Sequence, residues 1–268
     1  MTGVPEAAAR NLAAVREKKP LIHNITNFVV MNTTANALLA IGASPVMAHA
    51  VEEVEEMAGI ARALVINIGT LSTPWIEAMI RAGRRANSKG IPVVLDPVGA
   101  GATRFRTATV HRLLQDAPPS IIRGNASEIR AVLYAEDATK GVDSTHAPEE
   151  ALDAARILSE HCHAVVSVSG ATDLIVSDRS VIRVANGHPM MPRVTGLGCT
   201  ATALIGAFAA VNPSPWRAAA HAMAVLGIAG EMAAERSAGP GSLQMHLLDA
   251  LYCLGESDIR SRLRLEEE

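Results

Sequence analysis

Two glycines and a cysteine stand together at residues 195–199, directly before a run of small residues that is typical of a helix. Glycine lets backbone N–H groups converge on an anion, and the start of a helix carries partial positive charge. The segment therefore predicts a phosphate-binding turn, although Gly-x-Gly before a helix is also ordinary turn chemistry. In this position Cys199 is expected to have a pKa below the free value of about 8.5. Its thiolate could then accept a proton from an attacking hydroxyl group, or Cys199 could merely line the site.

Two acidic residues are candidates for binding a divalent cation. Asp96 ends the apolar run 93–95 and precedes a proline, a pattern that is also typical of a simple Asp-Pro turn. Glu128 lies three residues after Asn125, and this spacing is also that of a helix capping box. Because Mg²⁺ prefers oxygen ligands, the functional interpretation is a magnesium site that contains Asp96 and Glu128.

Arg123 and Ser169 each follow a short apolar run and precede a glycine. The structural interpretation is a surface arginine and a serine that caps a turn. The functional interpretation is a guanidinium fork and a hydroxyl group that bind the phosphate oxygens of a nucleotide.

These residues need a scaffold that brings strand ends together. Short β-branched runs alternate with helical patterns, which predicts an α/β fold with a mostly parallel sheet and covering helices. The strands are expected at residues 21–26, 45–48, 64–69, 92–96, 121–123 and 164–169. The intervening helices are expected at 28–41, 51–62, 74–89, 107–114, 127–134 and 148–161. Residues 173–177 and 180–185 predict an antiparallel edge hairpin, and helices follow at 199–211, 216–237 and 243–254.

Ligands of open parallel sheets bind at the carboxyl ends of the strands. Polar or glycine-rich segments lie toward the ends of the predicted strands, at His23-Asn24, Met47, residues 67–69, residues 96–99, residues 123–125 and Ser169-Gly170. The sequence thus predicts that these segments and the glycine turn share one crevice.

Composition limits the classes of protein to consider. The 268 residues are 49% hydrophobic and 19% charged, and no linker-like segment divides them, so we expect one globular domain at 1–268. A net charge of −3 and few aromatic residues favour neither a nucleic-acid nor a membrane partner. The apolar segment 200–211 is too short to cross a bilayer. The three widely spaced cysteines indicate a reducing compartment, so a cytoplasmic protein is expected.

Taken together, the motifs closely resemble the hydroxyethylthiazole kinase family, which has the ribokinase-like fold. The matching segments run in family order: IHNITN at 22–27, ASPVM at 43–47, residues 64–69, DPVGA at 96–100, RGNASE at 123–128, SGATD at 169–173 and TGLGC at 195–199. Two departures are visible. Leu197 replaces the alanine common between the glycines, which predicts a narrower loop or an altered substrate fit. The tail beyond Ser237 matches poorly.

The resemblance implies a reaction and a set of roles. The reaction is phosphorylation of 4-methyl-5-(2-hydroxyethyl)thiazole by ATP with Mg²⁺, in thiamine biosynthesis or salvage, by a homotrimer with sites near subunit contacts. The implied thiazole contacts are Met47, Gly196 and Asn24. The implied ATP contacts are Arg123, Ser169 and Gly198. Asp96 and Glu128 are implied near the metal, and Cys199 stands where many ribokinase-like relatives have an aspartate base.

Three alternatives stay open at this point. Gly196, Gly198 and Ala201 fit a Gly-x-Gly-x-x-Ala dinucleotide fingerprint, but no acidic residue occurs from 200 to 230 to bind a ribose. A sensor without catalytic activity could use the same fold, although a complete set of polar motifs argues against a decayed site. Another kinase of this fold could phosphorylate hydroxymethylpyrimidine or pyridoxal instead of the thiazole.

Overall fold

A nine-stranded mixed sheet forms the centre of the computed structural model, which describes residues 3–134, 148–178 and 180–268. The strands are β1 (Leu21–Ile25), β2 (Ser44–Val46), β3 (Ala63–Asn67), β4 (Val93–Asp96), β5 (Ile121–Asn125), β6 (Val165–Ser169), β7 (Asp173–Ser177), β8 (Ser180–Val184) and β9 (Leu265–Glu267). Their order across the sheet is β2-β1-β3-β4-β5-β6-β7-β8-β9. The neighbours from β2 to β6 pair in parallel, and the pairs β6–β7, β7–β8 and β8–β9 are antiparallel.

Helices cover both faces of the sheet, because successive residues of the buried strands point to opposite sides. One core contains residues of α1 (Val4–Lys18), α2 (Met31–Ala40), α8 (Leu197–Ala209), α9 (Pro215–Ala234), α10 (Pro240–Cys253) and α11 (Glu256–Arg262). The other core contains residues of α3 (Val54–Ile60), α4 (Thr73–Ser88), α5 (Arg104–Asp116), α6 (Ala126–Leu133) and α7 (Pro148–Cys162). The predicted sheet, its covering helices and the edge hairpin are therefore confirmed.

The helix α8 is buried along nearly its whole length, as expected for a helix that is apolar on all sides. A Cβ atom on Gly206 would lie 2.7 Å from Cγ2 of Val65, so glycine allows α8 to approach β3 closely. The first turn of α8 lies near Asp96 and Arg123, toward the carboxyl ends of β4 and β5. The chain thus places a helix N-terminus where the sheet presents its polar residues.

Several element boundaries differ from the sequence-based expectation. The helix α2 begins at Met31 instead of residue 28, because the Asn27 side chain accepts the N–H of Val29 and the Asn27 carbonyl accepts that of Val30. This local turn competes with the helix. The elements α1, α11 and β9 were not predicted at all. The short polar strand β9 forms by pairing with β8, a long-range contact that its own composition does not indicate.

Candidate active site

A row of polar side chains crosses four neighbouring strands on the sheet face that α8 covers. The row contains Asn67 on β3, Asp96 on β4, Arg123 on β5 and Ser167 on β6. Asn67 lies opposite Asp96 in the strand register, and Arg123 lies opposite Ser167. All four residues are buried. A buried polar atom without a hydrogen-bond partner is costly in free energy. The atoms of this row that have no partner within the protein are therefore the ones that can bind a ligand.

The Asp96 carboxylate is fixed through one of its two oxygens. Oδ2 accepts hydrogen bonds from Nδ2 of Asn67 at 2.9 Å and from Oγ1 of Thr202 at 2.7 Å. Oδ1 has no hydrogen-bond partner among the described residues. Burial, reinforced by the nearby Glu128 carboxylate, raises the pKa of Asp96 to about 6 even though Arg123 and the two donors lower it. A cation next to Oδ1 would therefore favour the charged carboxylate.

A chain of amide groups connects Asp96 with Cys199. Oδ1 of Asn67 accepts hydrogen bonds from Nδ2 of Asn27 at 2.8 Å and from the backbone N–H of Gly69 at 2.9 Å. The same Nδ2 of Asn27 lies 3.4 Å from the Cys199 sulfur and donates to it. The thiol and the carboxylate thus belong to one buried hydrogen-bond network, which tertiary packing alone brings together.

The expectation that Cys199 has a lowered pKa is wrong. Burial is the main cause that raises the pKa of this thiol to about 11, and the Asp96 carboxylate adds to the increase. The hydrogen bonds from Asn67 and Asn27 and the charge of Arg123 act in the opposite direction but are outweighed. The prediction considered only the helix start and could not include the carboxylate that the fold places nearby. At neutral pH Cys199 is a thiol.

The glycine turn permits two close approaches. Gly196 caps α8 with a φ of +80°, a left-handed conformation that favours glycine, and a Cβ atom there would lie 2.5 Å from Cγ1 of Val30. A Cβ atom on Gly198 would lie 2.6 Å from Nη1 of Arg123. The first bond of the helix runs from the Thr200 N–H to the Gly196 carbonyl, so the N–H groups before it are available to an anion.

Arg123 brings a fixed positive charge to this turn. Its Nη2 donates to Oγ of Ser169 at 2.6 Å, and Ser169 Oγ in turn donates to the Gly124 carbonyl at 3.3 Å. Asp173 lies close enough for the guanidinium to oppose the rise of its pKa, which burial nevertheless raises to about 6. Arg123, Ser169 and Gly198, which were predicted to act together, therefore lie close to one another. The guanidinium group of Arg123 lies beside the first turn of α8.

Glu128 forms the capping box that its spacing from Asn125 indicated. Its Oε2 accepts the Asn125 N–H and the Asn125 side chain accepts the Glu128 N–H, both at 2.9 Å. Its Oε1 accepts the N–H of Gly99 at 2.9 Å. The side chain thus connects the start of α6 to the loop that follows β4, the strand that ends at Asp96.

The donor set suits a Mg²⁺ ion that is held mainly by phosphates and water. Asp96 offers a free buried oxygen, and the Glu128 carboxylate is close enough to raise the pKa of Asp96. In the described ranges no group of three or more His, Cys, Asp or Glu side chains is arranged to hold a metal alone. This agrees with the usual behaviour of Mg²⁺, which binds one or two carboxylates together with substrate phosphates.

Met47 and Asn24 lie on the other side of the network. Met47 is half-buried and follows the edge strand β2. The next residue, Ala48, accepts a hydrogen bond at 2.7 Å from Nε2 of His23, which must carry the proton because a carbonyl only accepts. Asn24 is buried and donates to the Ile22 carbonyl, while its Oδ1 has no partner among the described residues. Among the described residues no hydrogen bond joins Met47 or Asn24 to Cys199, whereas the neighbouring Asn27 does donate to it.

Arg106 was missed by the sequence analysis, because its surroundings look like an ordinary exposed helix start. Its Nη1 donates to the carbonyls of Ile68 at 3.0 Å and Val98 at 2.7 Å, and its Nη2 donates to the carbonyl of Gly69 at 2.8 Å. These bonds join the loop after β3 to the loop after β4. The two loops that follow Asn67 and Asp96 are therefore fixed to each other.

Leu197 was expected to narrow the glycine loop or to change the substrate fit. Its side chain is buried and belongs to the same core cluster as the apolar residues of α8 and α9. The packing of the core thus accounts for the larger residue at this position.

A mixed sheet with this topology, a glycine-rich helix start and polar strand ends is typical of the ribokinase-like small-molecule kinases. The model of the hydroxyethylthiazole kinase family matches residues 12–257. Relatives named hydroxyethylthiazole kinase include one from Syntrophus aciditrophicus, 62% identical over 97% of each chain, and one from Nitratidesulfovibrio vulgaris, 57% identical over 96% of each chain. The chain belongs to the hydroxyethylthiazole kinase family.

Solved structures agree with this assignment. The hydroxyethylthiazole kinase protein from Pyrococcus horikoshii is 46% identical, with a TM-score of 0.91 over 98% of this chain and 99% of the other. The pyridoxal kinase from Staphylococcus aureus in complex with pyridoxal has a TM-score of 0.67 at 17% identity, with 93% of this chain and 98% of the other covered. The second similarity shows the fold alone. The match through residue 257 also corrects the expectation that the tail beyond Ser237 departs from the family.

Proposed function

We propose that the protein transfers the γ-phosphoryl group of ATP to the hydroxyl group of 4-methyl-5-(2-hydroxyethyl)thiazole, in thiamine biosynthesis or salvage. The observation that carries the proposal is the Arg123 guanidinium, which lies against the first turn of α8 beside Asp96 in a member of this family. That arrangement offers positive charge and free N–H groups to a phosphate, and an acidic residue to its cation.

The proposed roles follow from the positions of the side chains. Arg123, Ser169 and Gly198 bind the phosphates of ATP. Asp96 and Glu128 lie next to Mg²⁺, Asp96 through its free Oδ1 and Glu128 through the carboxylate that also caps α6. The proposed contacts of the thiazole alcohol are Met47, Gly196 and Asn24.

In the proposed reaction the alcohol oxygen forms a bond to the γ-phosphorus while the bond to the leaving oxygen of ADP breaks. The bound Mg²⁺ would neutralise phosphate charge. Arg123 and the N–H groups at Gly198 and Cys199 would stabilise the transferred group and keep it in line. Because the transition state is loose, little proton removal is needed before attack. A neutral Cys199 thiol is therefore compatible with catalysis, and the hydroxyl proton passes late to an oxygen of the transferred phosphoryl group.

One assay tests this function directly. ADP release from ATP and Mg²⁺ is measured with hydroxyethylthiazole, pyridoxal and hydroxymethylpyrimidine as separate acceptors. We expect the thiazole alcohol to give the highest kcat/KM. A preference for either other alcohol would assign a different kinase of the same fold, and binding of the thiazole without ADP release would assign a sensor.

Substitution of Cys199 tests its role as a base. We expect Cys199→Ala to lower kcat by less than the roughly 10²–10⁴-fold typical of removing a general base, because the thiol is protonated at neutral pH. Cys199→Asp should remain active. Steady-state kinetics check both variants, with Cys162→Ala as a matched change of another partly buried free cysteine. A loss of about 10²-fold or more in a Cys199→Ala protein that folds and binds substrates normally would contradict the neutral-thiol role and assign Cys199 as the base.

Substitution of Glu128 separates its two roles. We expect Glu128→Gln to raise the Mg²⁺ concentration needed for half-maximal velocity, because the charge beside Asp96 is lost. The matched control is Asp258→Asn, which alters the corresponding side chain of α11, where Oδ2 of Asp258 accepts the N–H of the N-cap residue Gly255. The control should change only the Tm. If Glu128→Gln also changes only the Tm, its role is capping.

We propose further that residues 1–268 form one kinase domain, that the enzyme is a homotrimer and that it acts in the cytoplasm. The two cores on opposite faces of one sheet support a single domain. The three cysteines, all of them free, support a reducing compartment. Similarity to the family supports the trimer. None of the helices in the described residues is both long and apolar enough to cross a membrane.

A further inference from the structure

We propose that Thr202 is a positioning residue, which holds the Asp96 carboxylate through Oδ2 so that Oδ1 stays free for a divalent cation. The inference rests on the proposed function for the identity of that cation. Thr202 lies in the middle of an apolar helix, is completely buried, and donates its hydroxyl hydrogen to Asp96 at 2.7 Å. Asn67 supplies the second donor to the same oxygen.

Two donors on one oxygen determine how the carboxylate is turned. The terminal torsion of an aspartate is broad, so a carboxylate without fixed partners exchanges its two oxygens easily. At Asp96 the donors come from two different elements, one from β3 and one from α8. Loss of either donor leaves a single bond, around which the carboxylate can turn.

Arg123 makes this orientation important. Leu95 pairs with Ile122 in the sheet, so the residues that follow them, Asp96 and Arg123, are neighbours on adjacent strands. Even so, Oδ1 of Asp96 accepts no hydrogen bond and Nε of Arg123 donates none within the described residues. A carboxylate that turned toward the guanidinium would pair with it. Thr202 and Asn67 thus keep the anion available for a cation and the guanidinium available for phosphate.

Thr202 also connects Asp96 with the glycine turn at the start of α8. Its Oγ1 lies 3.3 Å from the Gly198 carbonyl, one helical turn earlier, and the hydroxyl has one hydrogen to donate. The shorter distance assigns that hydrogen to Asp96. One side chain therefore sets the distance between the carboxylate and the first turn of α8.

The chain offers a matched pair of substitutions. Thr202→Val removes the hydroxyl that binds Asp96, whereas Thr200→Val removes a buried hydroxyl of the same helix that has no partner among the described residues. Thr202→Ser restores the donor. The measurements are kcat, the KM of the thiazole alcohol, and the affinity for Mn²⁺ in the presence of ADP, which electron paramagnetic resonance reports without turnover.

We expect Thr202→Val to weaken Mn²⁺ binding and kcat by about 10- to 100-fold, the range found when partners of metal-binding side chains are removed. The KM of the alcohol should change little. Thr200→Val should behave as the wild type, and Thr202→Ser should recover most of both losses. Equal losses in the Thr200 and Thr202 valine variants, or unchanged Mn²⁺ affinity in Thr202→Val, would overturn the inference.

A second variant keeps the inference testable if Thr202→Val does not fold. Asn67→Leu keeps the approximate shape of the side chain but cannot donate to Asp96. Its control, Asn36→Leu, makes the same change where an amide donates to another asparagine away from the site. Only Asn67→Leu should lose Mn²⁺ affinity, and an equal loss in both variants would contradict the proposal. A wild type that binds Mn²⁺ and ADP but does not phosphorylate the thiazole would reject the proposed function without affecting this result.

Discussion

Replacement of Asp96 by asparagine is expected to lower kcat by about 10²–10³-fold, the usual effect of removing one preorganised electrostatic group. The amide has the same shape and keeps an oxygen for Thr202 and Asn67, so the hydrogen-bond arrangement around Oδ2 can persist. What is lost is the negative charge beside the proposed cation. Steady-state rates at increasing Mg²⁺ concentrations measure the effect, and circular dichroism verifies the fold.

The control for this change is Asp116→Asn, which removes a carboxylate that binds Arg84 and Arg112 where α5 ends, before the amino end of β5. Its rate should equal that of the wild type, because a partly exposed ion pair contributes little. A full rate in Asp96→Asn at saturating Mg²⁺ would show that Asp96 has no electrostatic role in the reaction.

Gly198→Ala is expected to lower kcat/KM for ATP by about 10²-fold, the effect of a displacement near 1 Å in a reacting group. The added methyl group would lie 2.6 Å from Nη1 of Arg123, so the guanidinium must move. Arg123 has little freedom to do so, because it is buried and bound to Ser169 at 2.6 Å. Alanine is otherwise a better helix former than glycine, so stability should not fall in parallel with activity.

The matched control is Gly241→Ala. Gly241 is the second residue of α10, as Gly198 is of α8, but no atom lies within 4 Å of its added methyl group. Kinetics and thermal unfolding of both variants separate the local clash from the general effect of alanine in a first turn. If the two variants keep the same kcat/KM for ATP, the position of Arg123 is not important for nucleotide binding.

Most of the fold was predictable because local residue patterns indicate its strands and helices. Uninterrupted apolar runs indicated parallel strands buried on both faces, and the glycine turn indicated the start of α8. The start of α2 was misplaced because the Asn27 side chain forms a turn that hydrophobic spacing does not reveal. The helix α1 was missed although its buried positions, Ala8, Leu12 and Val15, have helical spacing.

The positions of the site residues were predictable only where a motif lies at or near the carboxyl end of a strand. Asp96 ends β4, and Arg123 and Glu128 lie within three residues of the end of β5. Thr202 lies in a helix, and its bond to Asp96 joins residues that are 106 positions apart. The pKa of Cys199 was mispredicted for the same reason, because burial and Asp96 come from other parts of the chain.

Both margins of the sheet discourage the addition of foreign strands. At one margin β2 has three residues, and Pro45 among them lacks the N–H group that an incoming strand would need. At the other margin β9 is equally short and carries Glu266 and Glu267, whose like charges repel a second copy. Both edges of the sheet therefore oppose edge-to-edge polymerisation. This should limit aggregation through strand addition at high protein concentration.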